Sequence, residues 1–171
     1  MKIKLTALLL TFLVPHFSFA QIKLEDLKID TTITGFHFAA NFQGTYVYTL
    51  NGTSDLNTIN PSAFSFSILP NTTMKAAIAE IENLFTMSKQ NNYTLTDILR
   101  KDTTLNGYKA FILSYIETEK ATDYKNLVFN AVIMKENSAV IFVSGDLDKG
   151  KYLENFKKTF FAATTFKPHN K

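Results

Sequence analysis

The chain has no cysteine and no tryptophan among its 171 residues, and it has only three histidines and six glycines. Without cysteine it has no disulfide, no thiolate nucleophile and no cysteine-based metal site. The glycines match no phosphate-binding loop, and no serine lies in a Gly-x-Ser-x-Gly elbow. The sequence therefore predicts a protein that is not an enzyme, with no catalytic, cofactor-binding or metal-binding residue.

The first twenty residues have the pattern of a secretory signal peptide. Lys2 and Lys4 precede an apolar stretch that is too short to be a stable membrane anchor, and Ser18 and Ala20 fit a small-residue cleavage site. We therefore expect cleavage after Ala20 and a periplasmic or secreted mature protein. No second long apolar run follows, so we expect no transmembrane anchor in residues 21–171.

The charge distribution does not point to nucleic acid. All 15 acidic residues lie beyond Ala20, whereas two of the 18 basic ones lie before it, so residues 21–171 are close to neutral. Nucleic-acid binding requires a basic face. Lys151, Lys157 and Lys158 lie close together near the C-terminus, where they form either a solvated helix face or a patch for an acidic partner. We take these three lysines as the candidate partner-binding residues.

The first half of the mature chain changes from a strand pattern to a helix pattern. Apolar and polar residues alternate over three segments, which predicts half-buried strands at 33–42, 45–50 and 63–69. Beyond Pro70, apolar residues recur every three or four positions, which predicts an amphipathic helix with Thr72 or Thr73 as its N-cap.

The second half returns to the strand pattern. We predict four consecutive strands at 93–105, 108–118, 125–134 and 139–145. Asn106-Gly107 joins the first two, and this dipeptide is the strongest short signal for a hairpin turn. The short connections favour an antiparallel meander, and an aromatic helix follows it.

Together these patterns predict one α+β domain over residues 21–171. Its antiparallel sheet ends in a four-strand meander and packs against two helices. The first helix covers one face, and the second either covers the other face or lies across an edge. We expect residues 166–171 to form a disordered tail.

The element order, with the segment LNGYKAFILSYIE and the closing segment YLENFKKTFFAATTF, resembles the Mog1/PsbP-like fold. Asn106, Gly107 and Ala110 carry the resemblance at the start of the central hairpin strand. The bacterial branch includes exported proteins of the DUF1795 and DcrB types. The resemblance implies an α/β/α sandwich and an accessory or binding role, and it implies no catalytic residues.

The segment SGDLDKGKYLENF places Asp146 and Asp148 where a calcium loop or a helix start could lie. The spacing fails an EF-hand, because Gly150 falls at a position that requires a ligand oxygen. We therefore predict that Asp148 caps the last helix and that Glu154 pairs with Lys158.

Two further features are candidates for chemistry. Glu117 and Glu119 lie two residues apart near a strand end, where we interpret them as surface charge because a glycosidase needs carboxylates across a substrate. His37 follows Phe36 and precedes Phe38 in sequence, so its side chain lies on the opposite side of the strand from theirs. We interpret His37 as a surface or edge residue.

The leading functional hypothesis is therefore a non-enzymatic envelope protein that binds a protein partner through the lysine face or an exposed strand edge. The alternative is a carrier of a small lipophilic ligand in a phenylalanine-lined pocket between sheet and helix. Close packing of protein interiors argues that the phenylalanines fill a core instead. A third hypothesis is a hydrolase with an unrecognised site.

Overall fold

The computed structural model describes residues 22–53, 62–91 and 93–166. The predicted signal peptide and residues 167–171 of the predicted tail lie outside these ranges. A 3₁₀ turn at Leu24–Asp26 opens the described chain, and the remaining elements follow it. In chain order these are α1 (Thr31–Thr34), β1 (His37–Phe42), β2 (Thr45–Thr49), β3 (Ala63–Leu69), α2 (Met74–Gln90), β4 (Tyr93–Leu105), β5 (Tyr108–Glu119), β6 (Lys125–Lys135), β7 (Ser138–Asp146) and α3 (Leu153–Ala163).

The seven strands form one antiparallel sheet in the order β1-β2-β3-β7-β6-β5-β4. The meander β4 to β7 is confirmed, and so is the Asn106-Gly107 turn, in which both residues have positive φ. The antiparallel α+β sandwich predicted from the sequence is therefore confirmed.

The two longer helices, α2 and α3, cover opposite faces of the sheet. On the α2 face, Ala77, Ile81 and Phe85 are buried against the meander. On the other face, Phe156 and Phe160 of α3 pack with residues of the sheet and of the N-terminal segment. This settles the position left open for the second helix, which covers a face of the sheet.

Helix α2 begins as predicted. The hydroxyl of Thr73 accepts a hydrogen bond from the Ala76 amide at 3.2 Å, so Thr73 is the N-cap. The helix ends at Gln90, and its C-terminal turn reaches the sheet beside the ends of β5 and β6.

Strand β1 is shorter than predicted and contains a bulge. It begins at His37, because Asp30 caps the short helix α1 and Gly35 ends that helix with a φ of 73°. The pairing with β2 shifts between Phe38 and Ala40, which turns Phe42 to the face opposite that of Phe38. Both phenylalanines are exposed, at 51% and 59%.

Phe166 does not belong to a disordered tail. It is 5% exposed, and its ring lies 5.1 Å from that of Tyr108. The prediction that the disordered tail begins at residue 166 is therefore wrong for Phe166.

Candidate binding groove

The turn between β7 and α3 is built on Asp146, not on Asp148. Asp146 is fully buried, and its Oδ2 accepts hydrogen bonds from the amides of Tyr152 and Leu153 at 2.6 and 2.8 Å. Its Oδ1 accepts from the amide of Asp148 at 2.8 Å. The prediction that Asp148 caps α3 is wrong, because the loop places the first turn of the helix over the preceding aspartate.

The three candidate lysines lie at the start of α3 and within it. Lys151 is 3.4 Å from Asp148 and 5.0 Å from the ring centroid of Tyr152. The interaction with Tyr152 raises the pKa of Lys151, and the interaction with Asp148 raises it further. The predicted pairing of Glu154 with Lys158 is wrong, because Glu154 lies 2.6 Å from Lys157 instead.

Acidic neighbours thus engage Lys151, in the turn before α3, and Lys157, in the helix, while Lys158 is exposed on α3. The three side chains do not form an uncompensated basic patch. Their role in partner binding remains a prediction.

A groove runs along one side of α2, between this helix and the sheet. Two cavities of about 440 and 310 Å³ form it, and Leu84 and Val143 line both. Helix positions 80, 84, 87, 88 and 91 face the groove because they recur every three or four residues. Leu84 and Met87 form its apolar rim and are 38% and 54% exposed. We call this feature the α2 groove.

One end of the α2 groove is polar. Glu117 and Asn126 are directly opposite on β5 and β6, and Asn126 Nδ2 donates to Glu117 Oε2 at 2.8 Å. The hydroxyl of Ser88 donates to the other oxygen of Glu117. Glu117 is therefore held by two neutral donors from two elements, and it is not the simple surface charge predicted from the sequence. Glu119, by contrast, accepts from Thr122 in the following turn.

Two amide atoms at this end are buried without a hydrogen-bond partner among the described residues. They are Asn126 Oδ1 and Asn130 Nδ2. The Asn130 amide lies near the Tyr115 hydroxyl, a contact that lowers the pKa of Tyr115 against the larger opposite effect of burial, but Nδ2 does not meet hydrogen-bond geometry there. Asn130 is 1% exposed, and its other amide atom accepts from the Ser144 amide at 3.4 Å. An unpaired buried polar group costs about 1–3 kcal/mol. Natural proteins tolerate such a cost mainly where a water or a ligand completes the group.

Gly145 makes room for the side chain of Asn126. A Cβ on Gly145 would lie 2.8 Å from Asn126 Oδ1 and 3.2 Å from its Nδ2. A glycine inside a strand commonly marks such a close approach. This glycine and the two asparagines, which interrupt an apolar strand on the α2 face, are the sequence signals that could have indicated the site.

The surroundings of this end are electronegative. Burial is the main cause that raises the pKa of Tyr115 to about 12, and the charge of Glu117 adds to it. The C-terminus of α2 carries the negative end of the helix dipole. No lysine or arginine is among the described residues that line either cavity.

Other features of the described chain are less suited to a ligand. A cleft of about 630 Å³ lies between the turns at residues 122–125 and 147–149, but none of its lining residues has an unpaired buried polar atom. His37 is exposed at the start of the edge strand, as predicted. Among residues 22–53, 62–91 and 93–166, no group of three or more histidines and carboxylates is placed to hold a metal ion.

Five phenylalanines that could fill a core or line a lipophilic pocket lie in the two cores. These are Phe64, Phe66, Phe85, Phe111 and Phe129, each no more than 7% exposed. No phenylalanine among the described residues lines either cavity of the α2 groove.

In the described part of the chain, no helix is long and apolar enough to span a bilayer.

Comparison with known proteins gives structural neighbours only. No family model matches the chain, and no curated protein matches it. PA94, a protein of unknown function from Pseudomonas aeruginosa, is similar with 14% identity and a TM-score of 0.43, over 78% of this chain and 88% of its own. Cyanobacterial PsbP (CyanoP) from Synechocystis sp. PCC 6803 is similar with the same identity and TM-score, over 82% and 89%.

Proposed function

We propose that the protein is a non-enzymatic accessory protein that binds a protein partner in the α2 groove. The observation that carries this proposal is the pair of unpaired, buried atoms at the polar end, Asn126 Oδ1 and Asn130 Nδ2. One is an acceptor and the other a donor, so a bound partner could satisfy both. A cleft of this volume with a few convergent polar groups and an apolar rim is typical of a binding site.

The contacts of Glu117, the glutamate among the described residues that line this end, support a binding role. Glu117 is held by Ser88 and Asn126, and no histidine is among the described residues that line the groove, so Ser88 lacks the histidine base of the common serine hydrolases. Screens with esterase, phosphatase and glycosidase substrates should therefore be blank. Turnover that Glu117→Gln abolishes would contradict a non-enzymatic role.

Export is the second part of the proposal. Its support is the N-terminal pattern of Lys2 and Lys4, the short apolar stretch, and the small residues Ser18 and Ala20. The resemblance to DUF1795 and DcrB-type proteins is consistent with it. The intact mass of the protein recovered from its own host should correspond to a chain that begins at Gln21. An unprocessed chain in the cytoplasmic fraction would contradict export.

Binding in the α2 groove can be tested by blocking it. Leu84 lines both cavities and is partly exposed, so Leu84→Trp should fill the groove at little cost to folding. Lys158→Trp is the matched control, because it places the same bulk on the exposed side of α3 and also blocks the lysine face.

Native mass spectrometry of the gently purified wild type should show a bound partner. Leu84→Trp should lose it and Lys158→Trp should keep it. Loss only with Lys158→Trp would place the partner on the lysine face and contradict the proposal. A bound mass in the lipid range would favour the carrier hypothesis instead.

A further inference from the structure

Glu117 is a partly buried carboxylate without a cationic partner among the described residues. Its hydrogen bonds come from the Ser88 hydroxyl and the Asn126 amide, and none of the described ion pairs includes it. A carboxylate has about four lone-pair sites, so two neutral donors leave room for more. Removing a carboxylate from water without a countercharge is unfavourable. The arrangement therefore favours a cation supplied from outside the chain.

Two cations beside Phe85 of α2, those of Arg100 and Lys89, are engaged elsewhere. Arg100 donates to both oxygens of Glu82 at 2.9 and 3.0 Å, and its guanidinium lies 4.4 Å from the ring centroid of Phe85. The ammonium of Lys89 lies 4.7 Å from the same ring centroid. Neither side chain neutralises Glu117 in this arrangement.

Several other groups at this end also favour positive charge. The unpaired Asn126 Oδ1 is an acceptor, and the C-terminal turn of α2 adds the negative end of its dipole. Tyr93 and Tyr115 line the same cavity, and aromatic rings attract a nearby cation and pack against an alkyl stem.

We infer that the Glu117 end of the α2 groove binds the ammonium group of a lysine side chain on the partner. This inference rests on the proposed function. A lysine is favoured over a small free amine because the groove continues past this end into the 440 Å³ cavity, beside the exposed Leu84 and Met87. That extension gives the partner's residues on either side of the lysine a surface on which to pack. Asn130 Nδ2 is left to donate to an acceptor on the partner.

The test is an NMR titration of the full mature protein at low ionic strength with defined probes. The probes are Nα-acetyl-lysine methylamide, the neutral Nα-acetyl-norleucine methylamide, and n-butylamine. The lysine probe should shift the side-chain amide signals of Asn126 and Asn130 and bind at least about tenfold more tightly than the norleucine probe, since charge-assisted hydrogen bonds are about twice as strong as neutral ones. It should also bind more tightly than n-butylamine.

Glu117→Gln should weaken the lysine probe by about tenfold and leave the norleucine probe unchanged. Glu154→Gln is the control, because it removes the same charge on α3, on the other face of the sheet. The comparison of charged and neutral probes on the wild type does not depend on whether either variant folds.

Equal binding of the lysine and norleucine probes would overturn the inference while leaving the groove as a binding site. Binding of n-butylamine as tight as that of the lysine probe would make the ligand a small amine and overturn the choice of lysine. If no probe binds while the native partner still disappears with Leu84→Trp, only the ammonium inference fails. If no probe binds and no partner is retained, both fail.

Discussion

The buried carboxylate of Asp146 should contribute much more to stability than its neighbour Asp148. Asp146→Ala leaves three backbone amides without their acceptor, two of them in the first turn of α3. Loss of a helix cap costs about 0.5–2 kcal/mol, and each buried amide left unpaired costs about 1–3 kcal/mol. The amide of Asp148 is near the surface and can turn to water, so we expect a total loss of about 3–5 kcal/mol.

Asp148→Ala is the matched control for this prediction. It removes an ion pair to Lys151 between side chains that are 42% and 64% exposed, and such pairs contribute little. Urea unfolding followed by circular dichroism should therefore show a loss several-fold smaller than that of Asp146→Ala. The assignment of the cap would be refuted if the two losses were equal or if Asp148→Ala cost more.

Three further predictions concern buried polar groups. Thr159→Val should raise the free energy of unfolding in urea by about 1 kcal/mol, because the buried Thr159 hydroxyl has no hydrogen-bond partner among the described residues and valine has nearly the same shape. A clear destabilisation would show that the hydroxyl is paired. The pKa of Tyr115 is raised to about 12 in the folded state, so its contribution to the free energy of unfolding is fully present below pH 10 and is lost as the pH rises to about 12. Across that window the free energy of unfolding of the wild type should fall by about 2–3 kcal/mol relative to that of Tyr115→Phe, and a parallel pH dependence of the two proteins would contradict this. Gly145→Ala should displace the Asn126 amide from Glu117 and weaken binding of the lysine probe. The free energy of unfolding should fall by less than about 1 kcal/mol, because the new methyl group meets the end of the Asn126 side chain and not the backbone. Unchanged binding would show that Asn126 takes no part in binding.

Local signals in the sequence predicted the elements well. The Asn106-Gly107 turn depends on the positive φ that these two residues tolerate, and the Thr73 cap on a hydrogen bond to a residue three positions later. Each of these two features depends only on neighbours in the chain, so it can be predicted from the sequence alone. The pairing order β3-β7 joins strands far apart in sequence, and only the full sheet determines it.

The errors arise where a loop or a bulge changes the register. Lys149 and Gly150 both have positive φ, and this conformation delays α3 until Leu153 so that Asp146 lies beneath its start. The bulge in β1 reverses the side of the sheet that Phe42 faces, which strict alternation cannot predict.

The polar end of the groove was missed for a different reason. Glu117 meets Asn126 only after the β5–β6 hairpin sets its register, and it meets Ser88 only after α2 packs on the sheet. Read alone, a glutamate near a strand end is indistinguishable from surface charge. Asn130 inside an apolar strand was the informative residue, because a buried asparagine needs partners for its amide.

The most direct test of the α2 groove compares side-chain amide signals in two NMR spectra of one preparation. One spectrum is recorded on the protein as recovered from its host, and the other after unfolding, removal of bound material and refolding. If the groove holds a partner, the side-chain signals of Asn126 and Asn130 and the backbone signals at the C-terminal end of α2 should differ between the two spectra, while those of Lys151 and Lys158 should be unchanged. Differences centred on these lysines, with both asparagines unchanged, would contradict it.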